Sequence, residues 1–162
     1  MAYILWNKGE QSLINTWLGG FSATPTDAPW VPDANVYVGL GAKLGGVGTD
    51  KTVNNGLTSD TLFEIGQGTA SGYTRRPIAR DAGSTGWPQA TQSSGSYQST
   101  APQVTFGAFT GSGPTTNGAT IWFVALNGSI GADNCIFGAD LAATRTFAAG
   151  DTERITITYR QT

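Results

Sequence analysis

This chain of 162 residues has no histidine, one cysteine (Cys135), one methionine and only 12% charged residues. Without histidine it lacks the commonest general base and the commonest metal ligand. A Ser-His-Asp or Cys-His catalytic set cannot be assembled from it, nor can a zinc site of ordinary composition. A lone cysteine excludes an internal disulfide, so the chain does not read as a small secreted scaffold held by bridges. Charge is sparse in both signs: nine Lys and Arg against eleven Asp and Glu leave a net charge of -2, which argues against a surface for nucleic acid. Long hydrophobic runs are missing too. The apolar stretch from Tyr3 to Trp6 stops at Asn7-Lys8, short of a signal h-region or a membrane span. The expectation is a protein made in the cytoplasm, with no cofactor, no membrane partner and no nucleic-acid partner.

What is abundant is glycine, 23 residues, within a chain that is 39% hydrophobic. That length and apolar content predict one domain over 1–162 with a real core. Its parts are an N-terminal strand/helix segment (1–20), a Pro-rich linker (21–34) and a β-sandwich body (35–162). Asn7-Lys8-Gly9-Glu10 fits a variant capping box, Leu13, Ile14, Trp17 and Leu18 follow at helical spacing, and Gly19-Gly20 closes the segment; one short helix is predicted over about Lys8 to Leu18. Pro25, Pro29 and Pro32 disfavour regular pairing in the linker.

Beyond residue 34 short β-type runs alternate with Gly, Asn, Ser and Thr clusters. Val36 to Leu40 alternates, and Thr61 to Ile65 and Gly72 to Ile78 are further candidates, the last placed at an edge by Pro77. Pro102 to Thr110 sets Val104, Phe106 and Ala108 on one face. Thr120 to Leu126 is apolar on both faces, the pattern of a central strand. Asn134 to Leu141 follows, and Thr152 to Arg160 alternates Ile155, Ile157 and Tyr159 against Thr156, Thr158 and Arg160. Asn117-Gly118 and Asn127-Gly128 carry tight-turn chemistry. About eight strands with one helix predict a mainly β fold, a jelly-roll-like antiparallel sandwich. Gly41 to Ser59 and Asp81 to Thr100 are polar and read as long loops.

The chemistry-bearing residues are few. Paired carboxylates are the minimum for glycosidic work, but Glu10 is explained by capping, Glu153 falls in the last strand and Glu64 stands isolated. Gly39-Leu40-Gly41 with Gly45-Gly46 lacks the lysine of a phosphate loop. Asp133, Asp140 and Asp151 have no calcium-loop spacing and read as turn residues. No enzymatic activity is expected. Arg75, Arg76 and Arg80 form the one basic cluster, suited to acidic groups of a partner. Trp30, Trp87 and Tyr97 stand in polar surroundings, where rings anchor partners or stack on sugars. Trp6, Trp17 and Trp122 sit in apolar patterns, and Cys135 opens an apolar strand as a small buried hydrophobe.

The order of the Asn7-Lys8-Gly9-Glu10 helix, Val36 to Leu40, Leu62 to Ile65, Gly72 to Ile78, Ala101 to Phe106 and Thr144 to Thr152 resembles small virion structural proteins of tailed bacteriophages and cyanophages, capsid cement (decoration) proteins or tail-associated proteins. The resemblance implies a non-catalytic β-sandwich subunit, commonly trimeric, on the capsid surface of a virion. Its partners would be the major capsid protein or other virion proteins, and a tail fibre or baseplate subunit is the alternative it leaves open. A carbohydrate-binding module using Trp30, Trp87 and Tyr97 is a third reading. Lys8 and Trp17 of the N-terminal segment, the Arg75-Arg76 edge, Trp30, Trp87 and Tyr97 are the candidate partner-binding residues.

Overall fold

The computed structural model describes residues 4–5, 35–43, 58–59, 62–65, 72–79, 86–88, 91–93, 96–110, 119–130 and 135–161. The expected helix over Lys8 to Leu18, the linker 21–34 and the Asn117-Gly118 turn lie outside them. Among the described residues the regular elements are all strands. In chain order they are β1 (Ile4–Leu5), β2 (Asn35–Lys43), β3 (Thr58–Ser59), β4 (Leu62–Glu64), β5 (Arg76–Ala79), β6 (Thr91–Ser93), β7 (Ser96–Thr100), β8 (Val104–Gly107), β9 (Ala119–Ala125), β10 (Cys135–Arg145), β11 (Thr152–Ile155) and β12 (Thr158–Gln161). The fold is mainly β, with several antiparallel sheets.

Seven strands form the largest sheet, in the order β1-β10-β9-β2-β4-β3, with β5 also on β2. β9 lies at its centre, between β10 and β2, and its burial on both faces follows from its sequence. Trp122 and Val124 join Val36, Val38 and Leu40 in the main core, while Ile121, Phe123 and Ala125 fill the opposite face at 0% exposure. Each such large apolar side chain removed from water stabilises the fold by about 1.5–3 kcal/mol. Opposite Phe123 on β2 stands Gly39. A Cβ there would lie 2.2 Å from Phe123 Cζ, so the missing side chain makes the room that the ring fills.

β2 is nine residues long and takes two partners in succession along one edge. Gly41 to Lys43 pair with β4, and Asn35 to Val38 pair with β5. Pro77 is exposed on β5, whose pairing in this sheet is to β2 alone, as expected for a residue that cannot donate to a ladder. On β10 the register slips between Cys135 and Phe137. The extra residue, Ile136, puts Cys135 opposite Ala125 and Phe137 opposite Val124, so consecutive parts of one strand serve opposite faces of the sheet.

β7–β8 and β12–β11 form one kinked ribbon. Thr158 to Gln161 pair with Thr100 to Tyr97, and Thr152 to Ile155 pair with Gly107 to Val104. Between the two ladders the Ala101 N–H donates to the Ile157 carbonyl at 2.8 Å. Three residues, 101–103, face two, 156–157, and this bulge divides the expected single strand 152–160 into two. The predicted alternation survives the break: Ile155 and Ile157 are buried, and with Val104 and Phe106 they share the core of Val36, Val38 and Leu40.

Four local expectations are corrected. Ala108 is exposed and Phe109 buried, because Gly107 at φ +106° interrupts the alternation and lets Phe109 stack on Phe147 with centroids 4.2 Å apart. The stretch 81–100, expected as a loop, contains the β6–β7 hairpin; its Ser, Thr and Gln side chains suit an exposed sheet face as well as a loop. The expected loop 41–59 likewise holds the end of β2 and the short strand β3. Asn127-Gly128 makes a bend rather than a two-residue hairpin loop, since β9 ends at Ala125 and β10 starts at Cys135; the Ser129 N–H donates to Asn127 Oδ1 at 2.9 Å, an Asx turn.

Gly39→Ala forces the Phe123 ring out of its place and is expected to cost about 1–3 kcal/mol of stability. Urea unfolding measures this, and adding Phe123→Leu should recover part of the loss through coupling between the two sites.

Candidate functional site

Among the described residues the densest buried polar cluster sits where β4 and β5 part along the edge of β2. Between the two ladders Gly39 and Leu40 have no strand partner on that side, and a buried backbone group left there would cost about 1–3 kcal/mol. Both polar groups of Leu40 are met. Its carbonyl accepts from the Ile65 N–H at 3.1 Å, and its N–H donates to Tyr73 Oη at 2.9 Å. The Tyr73 hydroxyl in turn donates to Glu64 Oε1 at 2.8 Å.

Glu64 is 0% exposed and Arg75 4%. The guanidinium grips the carboxylate at two points, Nε to Oε1 and Nη2 to Oε2, each at 2.8 Å. Its remaining arm, Nη1, donates to the Asn127 carbonyl at 2.8 Å. The Arg75 Cζ lies 5.2 Å from the centroid of the Phe123 ring, within range of a cation–π contact. One side chain thereby ties the β4–β5 connection to the β9–β10 connection and covers the central strand. Burial alone would pull Arg75 down, but the hydrogen bonds and charge of Glu64 outweigh it and hold the guanidinium above its ordinary value. Tyr73 is pushed well above the usual phenol range, first by burial and then by the negative charge of Glu64.

Chemically this arrangement is a strut. The buried Glu64 oxygens are held by Arg75 and Tyr73. Among the described residues no group of three or more His, Cys, Asp or Glu is placed to hold a metal ion, and no helix is long and apolar enough to cross a membrane.

The candidate partner-binding residues separate. Lys8, Trp17 and Trp30 lie outside the described residues. Arg75, expected on a partner-facing edge, is turned into the protein by its pair with Glu64, and Glu64 is not isolated. Arg76 is half-buried, and its Nη2 donates to the Gly107 carbonyl at 3.0 Å, joining β5 to β8. Trp87 is half-buried against the core, its backbone N–H donating to the Ala79 carbonyl at 2.7 Å. Its ring meets Phe137 edge-on at 6.1 Å, and Phe137 also contacts Trp122 at 6.0 Å and Tyr159 at 5.1 Å. Trp87 therefore belongs to an aromatic seam between β10 and β12. Tyr97 lies on β7, paired with Gln92 and Gln161. Trp122 and Cys135 are buried, as their apolar settings predict.

The Glu64–Tyr73–Arg75 cluster was not visible as a unit in the sequence. The available signal was Tyr73-Thr74-Arg75, in which two residues at strand spacing flank an exposed one; a carboxylate partner for that face had to be sought across the chain.

Arg75→Met leaves Glu64 buried without its charge partner and is expected to destabilise by about 3–5 kcal/mol in urea unfolding, whereas Arg75→Met with Glu64→Leu loses less than the sum of the singles. Tyr73 adds a pH dependence. Its folded pKa is raised, so above the ordinary tyrosine value near 10.0 the unfolded chain releases a proton that the folded one retains. The contribution is complete below that pH and declines as pH rises above it. Tyr73→Phe should be less stable at neutral pH, and the gap to the parent should narrow above about pH 10 in unfolding curves.

No protein family matches this chain, and neither a curated protein nor a solved structure shows significant similarity to it.

Proposed function

We propose that this protein is a non-enzymatic structural subunit of a virion, a capsid cement protein that binds the assembled phage shell and stabilises it as a trimer. On this reading its sheets form a jelly-roll-like sandwich, and the N-terminal segment with its short helix reaches to the shell or to sister subunits. The observation that supports it is the buried Glu64–Tyr73–Arg75 cluster: the interior groups with the most chemical capacity hold strands together. A cement subunit acts by burying surface at junctions between capsomers, where a contact of about 1,600 Å² repeated around the shell resists internal pressure through multiplicity. Local three-fold points on a shell suit a trimer.

The test is the copy number of the chain in purified particles, measured by quantitative mass spectrometry, together with the mass of the free protein by light scattering. The expected result is a trimer present in hundreds of copies, about the number of capsomer junctions on a shell. Copies limited to about a few dozen would move the subunit to the tail, and absence from the particle would overturn the virion reading.

A further inference from the structure

Asn127-Gly128-Ser129 follows β9, and the buried strut uses it only through one backbone carbonyl. Asn127 is half-buried, while Gly128 and Ser129 are exposed. Two donors are already placed on Asn127. Arg75 Nη1, the arm that Glu64 does not hold, donates to its main-chain carbonyl at 2.8 Å, and the Ser129 N–H donates to its side-chain Oδ1 at 2.9 Å. The second bond folds the side chain forward over the Gly128 peptide, as an Asx turn does. The Tyr37 ring packs on Gly128, where a Cβ would lie 2.9 Å from Cε1. Residue 128 therefore has no side chain to shield its nitrogen, and room for none without moving that ring.

We propose that Asn127-Gly128 is a self-modifying site, at which the asparagine deamidates through a succinimide with Arg75 and Ser129 assisting. A solvent base, hydroxide or water, removes the Gly128 amide proton, and the nitrogen attacks Cγ of Asn127. The new N–Cγ bond closes the ring, the Cγ–Nδ2 bond breaks, and Nδ2 leaves as ammonia with a proton returned by solvent. Water then adds to either imide carbonyl and opens the ring, giving aspartate or isoaspartate with no change of oxidation state. Negative charge develops at two atoms along this path, and each has its donor. Loss of the Gly128 proton spreads charge onto the Asn127 carbonyl oxygen, which Arg75 Nη1 already holds; attack on Cγ moves it to Oδ1, which the Ser129 N–H holds. Donors fixed in advance where charge develops lower a barrier without reorganisation. The Arg75 side chain is 0% exposed, so solvent ions screen it little. In the isoaspartate product the oxygen held by Nη1 belongs to a free carboxylate, so Arg75 gains a second acidic partner beside Glu64 and favours that product. This chemistry is independent of the virion role.

Ageing the purified full chain at neutral pH and following position 127 by peptide mapping and mass spectrometry tests it, with a synthetic peptide of residues 126–132 as the unassisted reference. Asn127 in the folded chain should convert about fiftyfold faster than in the peptide, with isoaspartate the main product, in line with one charge-assisted and one neutral hydrogen bond. Arg75→Met with Glu64→Leu removes the first donor without leaving a buried charge alone, and should slow conversion about tenfold while circular dichroism shows the variant folded. Ser129→Pro removes the N–H that holds Oδ1 and should slow it about fivefold. A folded parent that converts no faster than the peptide overturns the proposal, and this comparison decides the matter even where the double variant fails to fold. So does a folded double variant that converts as fast as the parent.

Discussion

The structure turns on one constraint: β2 is longer than either of the strands that share its edge. β4 and β5 leave a gap at Gly39 and Leu40, and a gap in a buried ladder must be filled by something that can bond backbone groups. Tyr73 fills it with a hydroxyl, and that hydroxyl brings Glu64 with it. Burying a carboxylate demands a cation, and Arg75 supplies one that grips both oxygens. The desolvation of such a pair offsets much of its Coulomb attraction, so its value lies in what it orients. It sets the β4–β5 connection against the β9–β10 connection through the Asn127 carbonyl.

The same guanidinium connects this polar cluster to the packing of the sheet. Its position over Phe123 depends on where that ring lies, and the ring lies where Gly39 has no side chain. A polar strut and an apolar contact therefore share one boundary on the face of β9. On the other face, the ribbon closes over Val36, Val38 and Leu40 with Val104, Phe106, Ile155 and Ile157. Phe137 reaches this side because the bulge at Ile136 shifts the register of β10, and it ties Trp87, Trp122 and Tyr159 into the aromatic seam.

Period-two alternation was a sound guide wherever burial alone decides. It picked out Val36 to Leu40 and Ile155 with Ile157, while the unbroken apolar run at 120–126 marked the strand buried on both faces. It failed where backbone geometry intervenes. Gly107 displaced Ala108 in favour of Phe109, and the bulge at 101–103 split the strand expected over 152–160, because neither a positive φ nor a register slip leaves a mark in hydrophobicity. The polar 91–100 segment misled for a different reason: a strand with a solvated face can be as rich in Ser, Thr and Gln as a loop.

Of the cluster that organises the sheet, the sequence shows the parts and conceals the assembly. Charge sparsity, absent histidine and the alternating apolar runs determined a mainly β protein with few acid–base side chains, since these follow from composition and local period. Only the tertiary structure decided that Arg75 faces inward while Arg154 and Arg160 face out, although all three are arginines beside β-type sequence. The reason is that the sign of a side chain's contribution depends on its partner. Glu64 is eleven positions from Arg75 in the chain, and it is the split edge of β2 that brings the two within 2.8 Å.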